Sequence, residues 1–191
     1  MTRHPSSLEY GLLGLLGEGP QSGYDVRKVF ATTAMRVYSD SPGSIYPALA
    51  RLARRKLVVA RRERAGRHRT VYALSPRGRA LVRAWLAEPV TVVDVMRNDG
   101  SLELKLAFMS QLLPKRLVSF LDEWSGAAHA LAIETARDLK QWSGALSLSG
   151  ELALVLGRDS LRSRSAALRR ARGRAAESRR VDPAVTMRAG R

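Results

Sequence analysis

The chain has 191 residues, a formal net charge of +16 and a sequence pI near 11.4. A basic excess of that size favours a polyanionic partner, either nucleic acid or an anionic membrane surface. There is no cysteine, which excludes disulfides, thiol chemistry and cysteine metal sites. The apolar content of 45% is ordinary for a chain with a packed core. The charge is uneven along the chain. Residues 1–92 carry 16 basic and 6 acidic groups, residues 93–157 carry 6 and 8, and residues 158–191 carry 11 and 3. This predicts a basic N-terminal unit, a near-neutral middle and a basic tail. No run approaches the ~20 apolar residues of a membrane span, and Leu12–Leu16 is too short for a signal peptide.

Leu8, Leu12, Leu13, Leu15 and Leu16 form a helical stripe closed by Gly17 and Gly19-Pro20, predicting a first helix from about Ser7 to Gly17. Gln21-Ser22-Gly23 reads as a tight turn, and Ser22 as the cap of a second helix that fades near Thr33. After a polar bend comes SPGSIYPALARLARRK, residues 41–56. Ile45, Ala48, Leu49 and Leu52 fall on one face of a third helix, with Ser44, Tyr46, Pro47, Arg51 and Arg54 pointing away. Pro47 breaks a helix interior but is harmless in the first turn, whose N–H groups lack intrahelical partners. Ser44 is therefore predicted as the N-cap, with the helix starting at Ser44 or Ile45. Such a helix, apolar behind and hydroxyl, aromatic and guanidinium in front, suits a DNA major groove. A capped surface helix with a solvated basic face is the alternative.

Leu57–Arg64 and Arg69–Leu74 alternate apolar and polar residues around Ala65-Gly66, predicting a hairpin. Its tip holds Arg64, Arg67, His68 and Arg69. Two helices, a basic third helix and then a basic hairpin is the order of a winged helix-turn-helix. Arginines at such a tip suit a narrow, electronegative minor groove. Ser75-Pro76 then opens a fourth helix, running to about Glu88 with Leu81, Val82 and Trp85 inward.

Three stretches, YGLLGLLGEGPQSGYDVRKVF, SPGSIYPALARLARRKLV and GRHRTVYALSPRGRALVRAWL, together resemble the PadR family of winged helix-turn-helix transcriptional regulators, from about Leu8 to Glu88. Gly-Tyr-Asp at 23–25, Gly-Ser-Ile-Tyr-Pro-Ala-Leu at 43–49 and Tyr-x-Leu-Ser-x-x-Gly at 72–78 fall in the family's order. The family often has Glu where this chain has Ala53. The resemblance implies a dimeric DNA-binding repressor, often relieved by a small molecule. It implies Ser44, Tyr46 and Pro47 on the third helix, and Arg67 and Arg69 on the wing, as DNA contacts. Arg51 and Arg64 join them from the basic faces read above.

In the second half, Val90–Gly100 reads as a linker. The run Leu102–Met109 reads as a helix ending before Pro114, and residues 114–142 as a long helix with a wide apolar stripe. A last helix begins in Leu146–Leu156 and persists to about Arg174. Beyond Ser178 the composition predicts disorder. The expected organisation is a winged helix-turn-helix domain over 1–92, an α-helical dimerisation domain over 93–175 and a basic tail over 176–191, the fold being mainly α. Trp124 and Trp142 are candidates for an effector pocket between subunits, taking an aromatic or hydrophobic small molecule; plain core packing is the alternative.

His4, His68 and His129 show no ligand spacing. No phosphate loop, nucleophile elbow or placed carboxylate pair is present. The sequence thus predicts no catalysis, metal or cofactor. It predicts a cytoplasmic homodimer that binds double-stranded DNA and no membrane. A non-specific or architectural DNA-binding protein is the alternative.

Overall fold

A computed structural model describes residues 4–39, 41–63 and 69–181. The fold is mainly helical with a small antiparallel sheet. The chain forms two compact units. One runs through Ala87 and takes in Glu103–Leu113; the other comprises Glu88–Leu102 and the chain from Pro114 onward. Among the described residues no helix is long and apolar enough to cross a membrane.

The N-terminal unit begins with α1, Ser7–Glu18. Ser6 and Glu9 form a reciprocal capping box at its start, which satisfies two otherwise orphaned backbone donors. Strand β1, Gln21–Ser22, follows, and then α2, Gly23–Thr32, capped by the Ser22 hydroxyl. A 3-10 turn, Ala34–Val37, leads to α3, Pro42–Arg54. The hairpin consists of β2, Val58–Glu63, and β3, Arg69–Leu74, paired from Val58↔Leu74 to Glu63↔Arg69. Sheet order is β1-β3-β2. Helix α4, Pro76–Ala87, is capped by Ser75, whose hydroxyl accepts from Gly78 N–H at 2.9 Å and donates to the Lys56 and Leu57 carbonyls.

Two local expectations need correction here. Gln21–Ser22 is a strand as well as a turn, pairing Gln21 with Tyr72 and Ser22 with Val71. Helix α3 starts at Pro42, with Ser41 as its N-cap, not at Ser44 or Ile45. Pro42 occupies the first turn, where a missing N–H costs nothing, and Pro47 lies inside the helix. The one bond Pro47 forfeits is the donation to the Gly43 carbonyl, four residues back and still in the first turn.

The C-terminal end of α3 closes on a Schellman arrangement. Lys56 N–H reaches the Ala53 carbonyl at 2.9 Å and Leu57 N–H the Leu52 carbonyl at 3.0 Å. Lys56 itself is left-handed, with φ 58°. That position usually belongs to glycine, and a side-chain-bearing residue there costs about 1–2 kcal/mol.

Behind α3, Ile45, Ala48, Leu49 and Leu52 are fully buried, as the spacing predicts. They join Leu12, Leu13, Val26, Phe30, Val82 and Leu86 in one core. Tyr10 stacks on Trp85 with ring centroids 4.2 Å apart, so Trp85 is core packing. Helix α6, Ser101–Leu112, sends Phe108 and Leu112 into this unit, although the sequence places it with the second domain. The reason lies in α1. A Cβ on Gly14 would stand 2.3 Å from the Phe108 ring and one on Gly17 2.7 Å from Leu112. These two glycines are notches for α6. Gly78 is equally constrained, since a Cβ there would lie 2.0 Å from the Leu57 carbonyl oxygen.

The second unit contains α5, Val92–Arg97, a helix in the expected linker, started by a Thr91–Asp94 capping box. Helices α7, Leu117–Gln141, and α8, Leu148–Val181, form an antiparallel hairpin. Ser165 on α8 donates to the Ser125 carbonyl at 2.9 Å, and Arg172 lies 3.7 Å from Asp122. Arg164 donates to Asn98 at 2.9 Å. Several arginines of the basic end are therefore tied into this unit. Helix α8 also continues to Val181, past the expected end at Arg174 and into the segment 176–191 expected to be disordered. Residues 182–191 lie outside the described part. Arg116 pairs with Glu123, whose carboxylate also accepts from Val90 N–H at 3.0 Å. Burial pushes the Glu123 carboxyl upward, but these donors outweigh it and hold it below its ordinary value.

Candidate nucleic-acid interface

Helix α3 presents its N-terminal half outward. Ser44 is half-buried, Tyr46 is 42% exposed and Pro47 is exposed, opposite the buried stripe. Because the helix starts at Pro42, these residues occupy its first and second turns, so Ser44 is a first-turn side chain and not the cap. The Tyr46 ring lies over Gly23, the first residue of α2, where a Cβ would meet its Cε1 at 2.7 Å. Tyr24, Tyr72, Thr70 and Arg69 surround the same shallow hollow of about 300 Å3. Tyr24 is 57% exposed and carries the Arg27 guanidinium 5.6 Å from its ring centroid. Three tyrosines and an arginine thus border the front of α3. Strand β1 holds this geometry, since its pairing with β3 ties the start of α2 to the hairpin.

The predicted basic contacts fare differently from one another. Arg69 is half-exposed but pairs with Asp25 of α2. The Asp25 carboxylate accepts from the Ser22 hydroxyl at 2.8 Å. That hydrogen bond, followed by the Arg69 charge and its hydrogen bond, holds Asp25 below the ordinary carboxylate value. Arg51 is also partly spoken for. Its Nε donates to Glu9 at 2.9 Å, and Arg55 approaches the other Glu9 oxygen at 3.5 Å. Glu9 is buried on α1, so one carboxylate caps its own helix and clamps two cations of α3. Arg64 and Arg67 lie outside the described residues.

Asp25, Glu9, Tyr24 and Tyr72 are not singled out by sequence reasoning. The Asp25–Arg69 and Glu9–Arg51 pairs join residues 44 and 42 apart, and no local pattern signals them. Tyr24 and Tyr72 carry a signal in the quoted motifs, but only the β1–β3 pairing brings them beside Tyr46.

The two tryptophans expected in an effector pocket do not share a site within one chain. Trp124 is buried beside Phe120, 5.9 Å between centroids, whereas Trp142 caps the end of α7 and is 52% exposed. Eighteen residues of helix separate them, about 27 Å. The Trp124 indole N–H is buried with no hydrogen-bond acceptor among the described residues. Among the described residues no group of His, Asp and Glu is placed to hold a metal ion.

Residues 12–84, spanning α1 to most of α4, match the model of the transcriptional regulator PadR-like family. The chain is similar to the negative transcriptional regulator PadR of Bacillus subtilis (strain 168), at 28% identity over 107 residues. That match covers 55% of this chain and 58% of the relative, so it spans little more than half the relative's length. Among solved structures, B. subtilis PadR in complex with operator DNA aligns at 22% identity and a TM-score of 0.41, covering 89% of this chain and 99% of the other. The same protein in complex with p-coumaric acid aligns at 22% identity and a TM-score of 0.38, with the same coverage. The matched stretch contains every DNA-contact residue expected from sequence, while α7 and α8 lie beyond it.

Proposed function

We propose that this chain is a sequence-specific DNA-binding transcriptional regulator, acting as a repressor and as a cytoplasmic homodimer on a palindromic operator. The observation that carries the reading is the outward N-terminal half of α3, with Tyr46 exposed beside and Pro47 exposed opposite a fully buried apolar stripe, and with a β hairpin following. A helix so mounted enters a major groove by its first turns, while the hairpin reaches the backbone or minor groove. The description of the matched family and the net charge of +10 over residues 1–92 support the same reading, and the relative's description as a negative regulator supports repression.

Two-fold symmetry sets paired reading helices about one turn of DNA apart, ~34 Å. Leu148, Leu152 and Leu156 support self-association, since they follow one another at four-residue spacing on α8 and are 51–73% exposed. Release by an aromatic or hydrophobic effector is the finer part of the reading. Its support in the second unit is the acceptor-less indole N–H of Trp124, a buried donor that a ligand or partner group could satisfy. The proposed contacts are Ser44, Tyr46 and Pro47, with Arg64, Arg67 and Arg69 on the wing. Arg51 is a weaker contact because Glu9 already engages it.

The test is fluorescence anisotropy with duplex DNA from upstream of the chain's own gene against a scrambled duplex, over a salt series. An operator preference of at least about 10³ is expected. Tyr46→Ala should weaken operator binding roughly 5- to 150-fold, corresponding to about 1–3 kcal/mol for a base contact, and Arg67→Ala should flatten the salt slope by about one. Equal affinity for the two duplexes would replace this reading with a non-specific, architectural one.

A further inference from the structure

The end of α3 that points away from the reading front has a chemistry of its own. A cavity of about 720 Å3 opens there, within the usual size range of small-molecule sites. Arg54, Arg55 and Lys56 at the end of α3 and Arg77 in the first turn of α4 line it, with His4. Pro5, Leu57, Ala80 and Leu81 supply an apolar wall. Among the described residues that line it there is no carboxylate, although Arg55 also reaches Glu9. Like-charged groups gathered around a concave, partly apolar surface repel one another until an anion enters.

Two features separate this cavity from the DNA-reading face. It sits at the base of the hairpin, where Leu57 leads into β2 and β3 gives way to α4. The Glu63↔Arg69 pair, at the far end of the described hairpin, is five residues along the strands and about 17 Å away. Along α3, eight residues or about 12 Å separate Tyr46 from Arg54. The second feature is Lys56. A lysine holds the left-handed position that closes α3, where glycine is the unstrained choice. A strained residue of this kind is a mark of function when its side chain is put to use, and the Lys56 side chain lines the cavity.

We propose that this cavity binds a small organic anion, with its acidic head among Arg54, Lys56 and Arg77 and its apolar body against Leu57 and Leu81. Occupancy would brace the terminus of α3. Any effect on DNA rests on the reading given above; binding of the anion itself does not.

The test is nuclear magnetic resonance of the ¹⁵N-labelled full chain, titrated with naphthalene-2-sulfonate and with the neutral 2-(hydroxymethyl)naphthalene. The sulfonate should give saturable shifts at the amides of residues 54–57 and 77–81 and bind at least tenfold more tightly than the alcohol. Arg77→Gln should weaken the sulfonate at least fivefold and leave the alcohol unchanged. Lys56→Gly should do the same while raising the melting temperature, because it removes a cation and relieves the backbone together. Equal affinity for sulfonate and alcohol, shifts confined to the α8 leucines, or undiminished affinity in both variants would overturn the proposal. The two ligand titrations decide the matter whether or not the chain binds DNA.

Discussion

The two units satisfy their apolar residues to different degrees. In the N-terminal unit three helices, α4 and the inserted α6 close around one core, and Leu12, Leu13, Ile45, Leu49, Leu52 and Val82 are entirely covered. In the other unit α7 buries Phe120, Leu121, Trp124 and three alanines. Among the described residues of α8 only Ser165 and Leu168 are buried, and three leucines are left outward. A unit that has covered its own core can present a polar front without aggregating through it. A unit that has not is built to be completed by another surface. On the proposed reading this divides the labour: one unit reads and the other pairs.

The largest effect that would break this comparison is on assembly. Replacing Leu152 and Leu156 together by Gln should raise the dimer dissociation constant by several orders of magnitude, measured by analytical ultracentrifugation. Full burial of each leucine contributes about 1.5–3 kcal/mol. Helical content by circular dichroism should stay the same, because both residues are exposed within one chain; an unchanged sedimentation profile would show that these leucines do not pair two copies. Next in size is Gly78→Ala. Its Cβ meets backbone at Leu57, so the usual helical gain from alanine is overwhelmed, and a loss of about 1–3 kcal/mol is expected. A calorimetric scan should show the reading unit melting earlier with the α7–α8 hairpin unaffected. Unchanged melting would mean that α4 can move away from the hairpin at no cost.

The smallest effect concerns pH. The Asp25 carboxyl lies below its ordinary value of 3.8 in the folded chain. Its contribution is therefore present above that value and is lost as pH falls through the lower folded value. Both partners are about half-exposed, so the contribution is at most about 1 kcal/mol. Carboxyl resonances followed by NMR should show Asp25 titrating below the ordinary aspartate value, with Asp25→Asn loosening Arg69 at neutral pH. A normal Asp25 titration would remove this anchor of the wing.

The parts legible in the sequence are those set by local spacing and local caps. The Ile45-Ala48-Leu49-Leu52 stripe, the Ser22 and Ser75 caps and the alternation of the two wing strands all act within a few residues. The start of α3 is misread when Pro47 is weighed against an interior position and not against the better cap offered by Ser41-Pro42. Helix α5 carries its capping box in Thr91 and Asp94, but a six-residue helix has too little periodicity to stand out. The place of α6 is not legible at all, since Gly14 and Gly17 look like helix weakeners until Phe108 and Leu112 fill the space above them. The clamp on Arg51 is hidden for the same reason, being made by a residue 42 positions away.

Gly23 brings the reading front and the packing together. With no side chain beneath it, the Tyr46 ring lies flush against the start of α2, so it is already seated before any duplex arrives. A tyrosine free to rotate surrenders about 0.5–1.5 kcal/mol of rotamer freedom when a partner immobilises it. Here most of that entropy is lost during folding. On the proposed reading the Tyr46 contact is preorganised, and its benefit should appear as slower dissociation from DNA more than as faster association.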